Sequence, residues 1–157
     1  MLGKLLAQTS AAVAVTAVLG SVASADVQSP WYQRLEKPAI QPPGVVFPIV
    51  WTTLYTDIAV SSAVALDRLE ATDPAAAVAF WRALAVNLVL NTSWSWVFFR
   101  ARRLAPAVAV AGALAVSSAD LARRAGQGSP AAGWALVPYA AWCSFATVLS
   151  GVIWRRN

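Results

Sequence analysis

Histidine is absent from the sequence, and cysteine occurs once, at Cys143. A lone thiol cannot form an intramolecular disulfide, and zinc sites built from histidine and cysteine need several ligands. Metal is therefore not expected. Charge is also scarce, at 12% of residues against about 25% in soluble domains. The net charge of +5 sits in short clusters between apolar runs, which favours anionic lipid headgroups over nucleic acid as the basic residues' partner. No alternation of apolar and polar residues marks a strand, and no Gly-rich phosphate loop or acid–base constellation stands out.

What is abundant is apolar surface, at 59% of 157 residues, together with eight tryptophans. Five apolar segments follow one another: Leu5 to Ala25, Gly44 to Leu66, Ala75 to Phe99, Leu104 to Ala122 and Ala131 to Trp154. Each matches or exceeds the roughly 20 residues that a helix needs to cross a bilayer. The expected fold is all-α, a single domain over residues 1–157 containing five transmembrane helices. The breaks between segments are polar or proline-bearing: Pro30 to Pro43, "DRLEATDP", "RARRL" and "RRAGQGSP".

Segment one carries an alternative reading, because Lys4, an apolar run and "ASA" at Ala23 to Ala25 also resemble a cleavable signal peptide. Its length and the small-residue stripe Ala12, Thr16, Gly20 and Ser24 favour a retained, packed helix. Five spans place the Pro30–Pro43 loop, Arg100–Arg103 and the C-terminus on one side with seven basic residues, against five opposite. The positive-inside rule then predicts a cytoplasmic C-terminus.

Trp81, Trp134 and Trp154 lie near segment ends, as interfacial anchors do. Trp51, Trp94 and Trp142 lie deeper. Helical phase groups Trp51 with Tyr55; Asn87 with Asn91, Trp94 and Phe98; and Tyr139 with Trp142 and Ala146. Two asparagines are costly against lipid, so their face should point inward. The grouping describes either a pocket for a flat, largely apolar molecule or plain helix packing with Asn91 joining two helices. Asp57 lies mid-span, out of phase with Trp51 and Tyr55, and is read as structural. Alanine stripes at Ala75, Ala79 and Ala83, and at Ala107, Ala111, Ala115 and Ala119, suit an internal packing face or a dimer seam.

Three blocks, "WYQRLEKPAIQPPGVVFPIVWTTLY", "LVLNTSWSWVFF" and "VPYAAWCSFATVLSGVIWRRN", occur in an order and spacing that resemble the TspO/MBR family, the tryptophan-rich sensory proteins of bacteria and the translocator protein of mitochondria. The resemblance implies a five-helix, homodimeric, multi-pass protein of a bacterial cell membrane. It implies binding of tetrapyrroles such as protoporphyrin IX and haem, of sterols, and of benzodiazepine-type ligands, with the loop from Trp31 to Pro43 covering a pocket. By motif position the pocket falls on Trp51, Tyr55, Asn91, Trp94, Trp142 and Ala146. Adding neighbours in the blocks extends the candidate set to Trp31, Tyr32, Arg34, Lys37, Pro42, Pro43, Phe47, Phe98 and Tyr139, with Arg34 and Lys37 suited to a ligand's carboxylates. Porphyrin is expected as ligand, with no resident cofactor required. The prolines limit the loop's freedom and so reduce the entropic cost of closing it.

The resemblance leaves three functional readings: a receptor or sensor, a porphyrin transporter, and an enzyme that degrades porphyrin with light and oxygen, with Trp51 and Trp142 as electron donors. The first is preferred. Some positions depart from the family pattern. Gly151 and Val152 stand where a C-terminal sterol motif would carry tyrosine, Ser150 replaces a common asparagine, and Pro106 and Val110 replace tryptophan and aspartate of the mammalian pattern. Weaker sterol binding is expected.

Overall fold

The computed structural model describes all residues, Met1–Asn157, and every regular element is helical. The chain forms α1 (Leu2–Ser24), α2 (Pro30–Arg34), α3 (Val46–Thr72), α4 (Pro74–Ser95), α5 (Leu104–Gly128), α6 (Pro130–Ala135) and α7 (Val137–Arg156). Five helical stretches are long and apolar enough to span a membrane: Leu2–Gln28, Val46–Thr72, Pro74–Arg100, Leu104–Gly128 and Pro130–Arg156.

Three helices begin in the same way. Ser29, Asp73 and Ser129 each accept a hydrogen bond from the backbone N–H three residues on, and each precedes a proline in the first helical turn. The side chain satisfies a donor that the helix leaves open, and proline gives up an N–H that the first turn does not use.

The ends differ from the apolar boundaries. Helix α3 continues past Leu66 through Asp67–Thr72, and α5 past Ala122 through Arg123–Gly128. Loss of hydrophobicity marks the edge of the bilayer, whereas backbone bonding continues into water until a cap stops it. The third span closes in a π-helical turn, Trp96–Arg100, followed by Arg102 in a left-handed conformation at φ 55°. The fifth is interrupted at Leu136, because Pro138 lacks an N–H and its ring crowds the preceding turn.

Helix α1 packs on α3 and α4 through Leu5, Thr9, Val13, Thr16, Gly20 and Ala23, and the Thr9 hydroxyl donates to the Ala59 carbonyl at 2.8 Å. Thr16 and Gly20 of the small-residue stripe are therefore buried, while Ala12 and Ser24 are half-buried. Helix α5 is central, touching α3, α4, α6 and α7. Ala107 and Ala111 are buried in it, so the first half of that alanine stripe is an internal packing face. Gly128 is required where α5 meets α3, since a Cβ there would sit 2.5 Å from the Ala65 carbonyl oxygen. Trp134 and Trp154 are 75% and 49% exposed, as interfacial anchors are.

The loop, the α4–α5 connection and Asn157 meet at one end of the bundle. Asp26 pairs with Arg102 at 3.3 Å and Arg100 at 4.0 Å, and Asn157 bonds the backbone of Glu36.

Candidate functional site

Helices α3, α4 and α7 meet through long side chains. Helix α3 supplies Phe47, Trp51 and Tyr55 from successive turns, and α7 supplies Tyr139 and Trp142. Trp51 lies 5.4 Å from Tyr55 and 6.5 Å from Tyr139, ring centre to ring centre, and Phe47 lies 5.9 Å from Trp142. Such spacings are those of attractive tilted and edge-on aromatic pairs.

A hydrogen-bonded chain runs beneath these rings. The Tyr55 hydroxyl donates to Asn91 Oδ1 at 2.9 Å, and Asn91 Nδ2 donates to the Tyr139 oxygen at 3.1 Å. Tyr139 in turn donates to Asn87 Oδ1 at 2.8 Å, and Asn87 Nδ2 donates to Ser118 Oγ at 3.0 Å. Tyr139 and Asn87 are completely buried. The chain links α3, α4, α7 and α5, and it satisfies groups that lipid could not. Asn91 thus performs the helix-joining role, with both ends of its amide occupied.

Trp94 belongs to a second aromatic group. It stacks on Phe98 at 5.5 Å, and Trp31 and Tyr32 of the loop stand edge-on to Phe98 at 6.1 and 6.4 Å. Phe47, Trp94, Phe145, Trp31 and Tyr32 all pack around one small core of Phe98, Phe99, Ala107, Leu149 and Ile153. Trp51 and Trp142 therefore lie in one group and Trp94 in the other, with Phe47 and Phe145 shared between Trp142 and that core.

Three buried side-chain polar atoms have no partner: Ser62 Oγ of α3 and, among the second aromatic group and its covering loop, Trp94 Nε1, a donor, and Gln41 Oε1, an acceptor. Buried polar groups are nearly always bonded, so the latter two are available to a bound molecule. Gln41 was not singled out by sequence, although it sits in the loop between Ile40 and Pro42. Its amide nitrogen donates to the Tyr32 hydroxyl at 3.3 Å. Burial raises the Tyr32 pKa above its ordinary 10.0, and the Gln41 bond partly offsets this.

The remaining candidates are more peripheral. The Lys37 ammonium caps its own loop, donating to the carbonyls of Tyr32 at 2.8 Å and Leu35 at 3.2 Å and lying 4.5 Å from the Tyr32 ring. Arg34 lines an outer cleft of about 670 Å³ with Pro30, Trp31, Leu35, Arg102 and Asn157. Pro42 and Ala146 are half-buried, and Pro43 is exposed. Cys143 is buried, with its sulfur 3.5 Å from Ser118 Oγ.

Residues 9–155 match the TspO/MBR family. The chain belongs to that family. It is 36% identical over 129 residues to the translocator protein of Homo sapiens, covering 81% of this chain and 75% of that one. The tryptophan-rich sensory protein of Cereibacter sphaeroides is 36% identical over 127 residues, 81% and 77% of the two chains. Protein CrtK of Rhodobacter capsulatus is 34% identical over 128 residues, 81% and 78%. Family membership and five apolar helices make this an integral, multi-pass TspO/MBR membrane protein.

Proposed function

We propose that this TspO/MBR protein is a membrane receptor or sensor for tetrapyrroles, held between its two aromatic groups and beneath the Trp31–Pro43 loop. The observation that carries the reading is Trp94, whose indole N–H is buried without a partner beside a stacked Phe98 ring. A flat macrocycle with peripheral carboxylates supplies both missing elements, a broad π-face and an acceptor. Gln41 Oε1 is suited to a ligand donor, such as a pyrrole N–H or a protonated propionic acid.

Entry requires Trp31 and Tyr32 to withdraw from Phe98, so the loop acts as the gate. Arg34 and Arg102 stand outside it, where they attract an approaching anion. The loop and C-terminus face the cytoplasm in this reading, on the side with seven basic residues.

Trp94→Phe keeps the ring but removes the N–H. Binding of protoporphyrin IX, read by tryptophan quenching in darkness, should weaken about five- to tenfold, as loss of one buried hydrogen bond does. Unchanged affinity would remove Trp94 from the site.

A second reading, light- and oxygen-dependent breakdown of the bound porphyrin, has its own support. Trp51 contacts both Tyr55 and Tyr139, and Asn91 hydrogen-bonds both tyrosines. Oxidisable rings adjacent to the ligand are what an electron-donating site requires.

A further inference from the structure

Two arginines share the outer cleft at the loop end of the bundle. Arg34 of α2 and Arg102 of the α4–α5 connection line its volume of about 670 Å³ with Trp31, Leu35, Leu104 and Asn157. Arg102 is held in place, since its Nη2 donates to Asp26 Oδ2 at 3.3 Å and its guanidinium carbon lies 5.4 Å from the centre of the Trp31 ring. Arg34 is not. Its side chain is exposed and takes no part in the chain's ion pairs, which involve Arg100, Arg102, Arg123 and Arg124. No acidic side chain lines the cleft.

The level of the cleft in the membrane narrows what can fill it. Arg102 stands just before the span Leu104–Gly128, and Asn157 just after the span Pro130–Arg156. Both therefore lie in the headgroup layer that borders the hydrocarbon core. Leu104, Leu35 and Trp31 are half-buried and add apolar surface beside the two cations, and tryptophan favours this level of a bilayer. A small soluble anion would use the arginines and leave that surface uncovered.

We propose that the cleft is a binding site for an anionic phospholipid, with Arg34 and Arg102 on its phosphate oxygens and Leu35, Leu104 and Trp31 against its glycerol and the upper part of an acyl chain. The guanidinium fork matches the spacing of phosphate oxygens, and Arg102 keeps donors free beyond the one given to Asp26. A zwitterionic headgroup fits less well, because its ammonium finds no carboxylate among the lining side chains. Asp26, the acid nearest the site, is shared between Arg100 and Arg102. One phosphate bonded to both arginines joins α2 to the α4–α5 connection, so the lipid ties down the covering loop.

The test needs no porphyrin, so its failure would leave the tetrapyrrole reading untouched. Full-length protein is reconstituted in bilayers of mixed phosphatidylglycerol and phosphatidylcholine, and native mass spectrometry reads the lipid that stays bound. Wild type should retain phosphatidylglycerol preferentially, and Arg34→Gln should reduce that preference about tenfold, as loss of a charge-assisted hydrogen bond does. Arg34 is exposed and outside every ion pair, so this variant should fold normally. Arg155→Gln removes an equal charge from the same end but outside the cleft, and should leave the preference nearly intact. Cleavage of the Trp31–Pro43 loop by protease should be slower in phosphatidylglycerol than in phosphatidylcholine, and Arg34→Gln should abolish the difference. Equal retention of the two lipids, an equal loss in Arg155→Gln, or displacement of phosphatidylglycerol by excess inorganic phosphate would each overturn the lipid site, and loop cleavage equal in both lipids would overturn the tie.

Discussion

Asn157 holds Glu36 by both ends of its amide: the Glu36 N–H donates to Oδ1 at 3.0 Å, and Nδ2 donates to the Glu36 carbonyl at 3.2 Å. Nδ2 also reaches the Ile153 carbonyl at 2.9 Å, so the covering loop is tied to the end of α7. Asn157→Ala removes this tie. Because the two bonds to Glu36 are exposed, overall stability should barely change, but the loop should open more often. Porphyrin dissociation should accelerate a few-fold, and proteolysis near Glu36 should increase. Unaltered dissociation would show that the tie does not govern the gate.

Asn91 joins Tyr55 and Tyr139 in the interior. Asn91→Leu leaves the Tyr55 hydroxyl without its acceptor and the Tyr139 oxygen without its donor, whereas Tyr55→Phe removes one bond from a less buried ring. The first should lower stability by about 1–3 kcal/mol and the second by about 1 kcal/mol or less. Thermal unfolding in detergent or bilayer ranks them, and the reverse order would contradict the hydrogen-bond chain.

Tyr32 gives the loop a pH dependence. Its hydroxyl pKa is raised above 10.0 when the loop is packed, mainly by burial, so the closed loop favours the neutral phenol. The closed state is therefore unaffected below pH 10 and weakens as the pH rises through the raised value. Loop proteolysis should increase there in the wild type and less steeply in Tyr32→Phe. Equal profiles would exclude Tyr32 as the titrating group.

The photochemical reading separates from binding by two substitutions. Trp51→Phe and Trp142→Phe preserve an aromatic contact but are far poorer electron donors. Both variants should retain protoporphyrin IX while losing most of the decay of its absorption band under illumination. Decay at the wild-type rate in both would place the electron donor elsewhere.

Much of this architecture is legible from local sequence. The five spans follow from apolar length, and the starts of α2, α4 and α6 from the Ser-Pro and Asp-Pro pairs. The inward turn of Asn87 and Asn91 follows from the cost of amides in lipid. What escapes is set by distance across the bundle. Nothing local shows that the Tyr139 hydroxyl sits between the two asparagines or that Gln41 and Trp94 keep unpartnered atoms. Hydropathy also cannot see the π-turn at Trp96–Arg100 or the extra turns of α3 and α5, because backbone bonding does not end where apolar side chains do.

The central claim is that porphyrin is held by aromatic faces and a few hydrogen bonds, without coordination of a metal. No histidine is present, Cys143 is buried beside Ser118, and Tyr55 and Tyr139 are committed to asparagines. Paired titrations of purified protein with metal-free protoporphyrin IX and with haem, in darkness, test this directly. The account predicts dissociation constants within about threefold of each other, since one ring contact is worth the same with or without iron. Haem binding a hundredfold tighter, with a shifted iron spectrum abolished by Cys143→Ala, would contradict it.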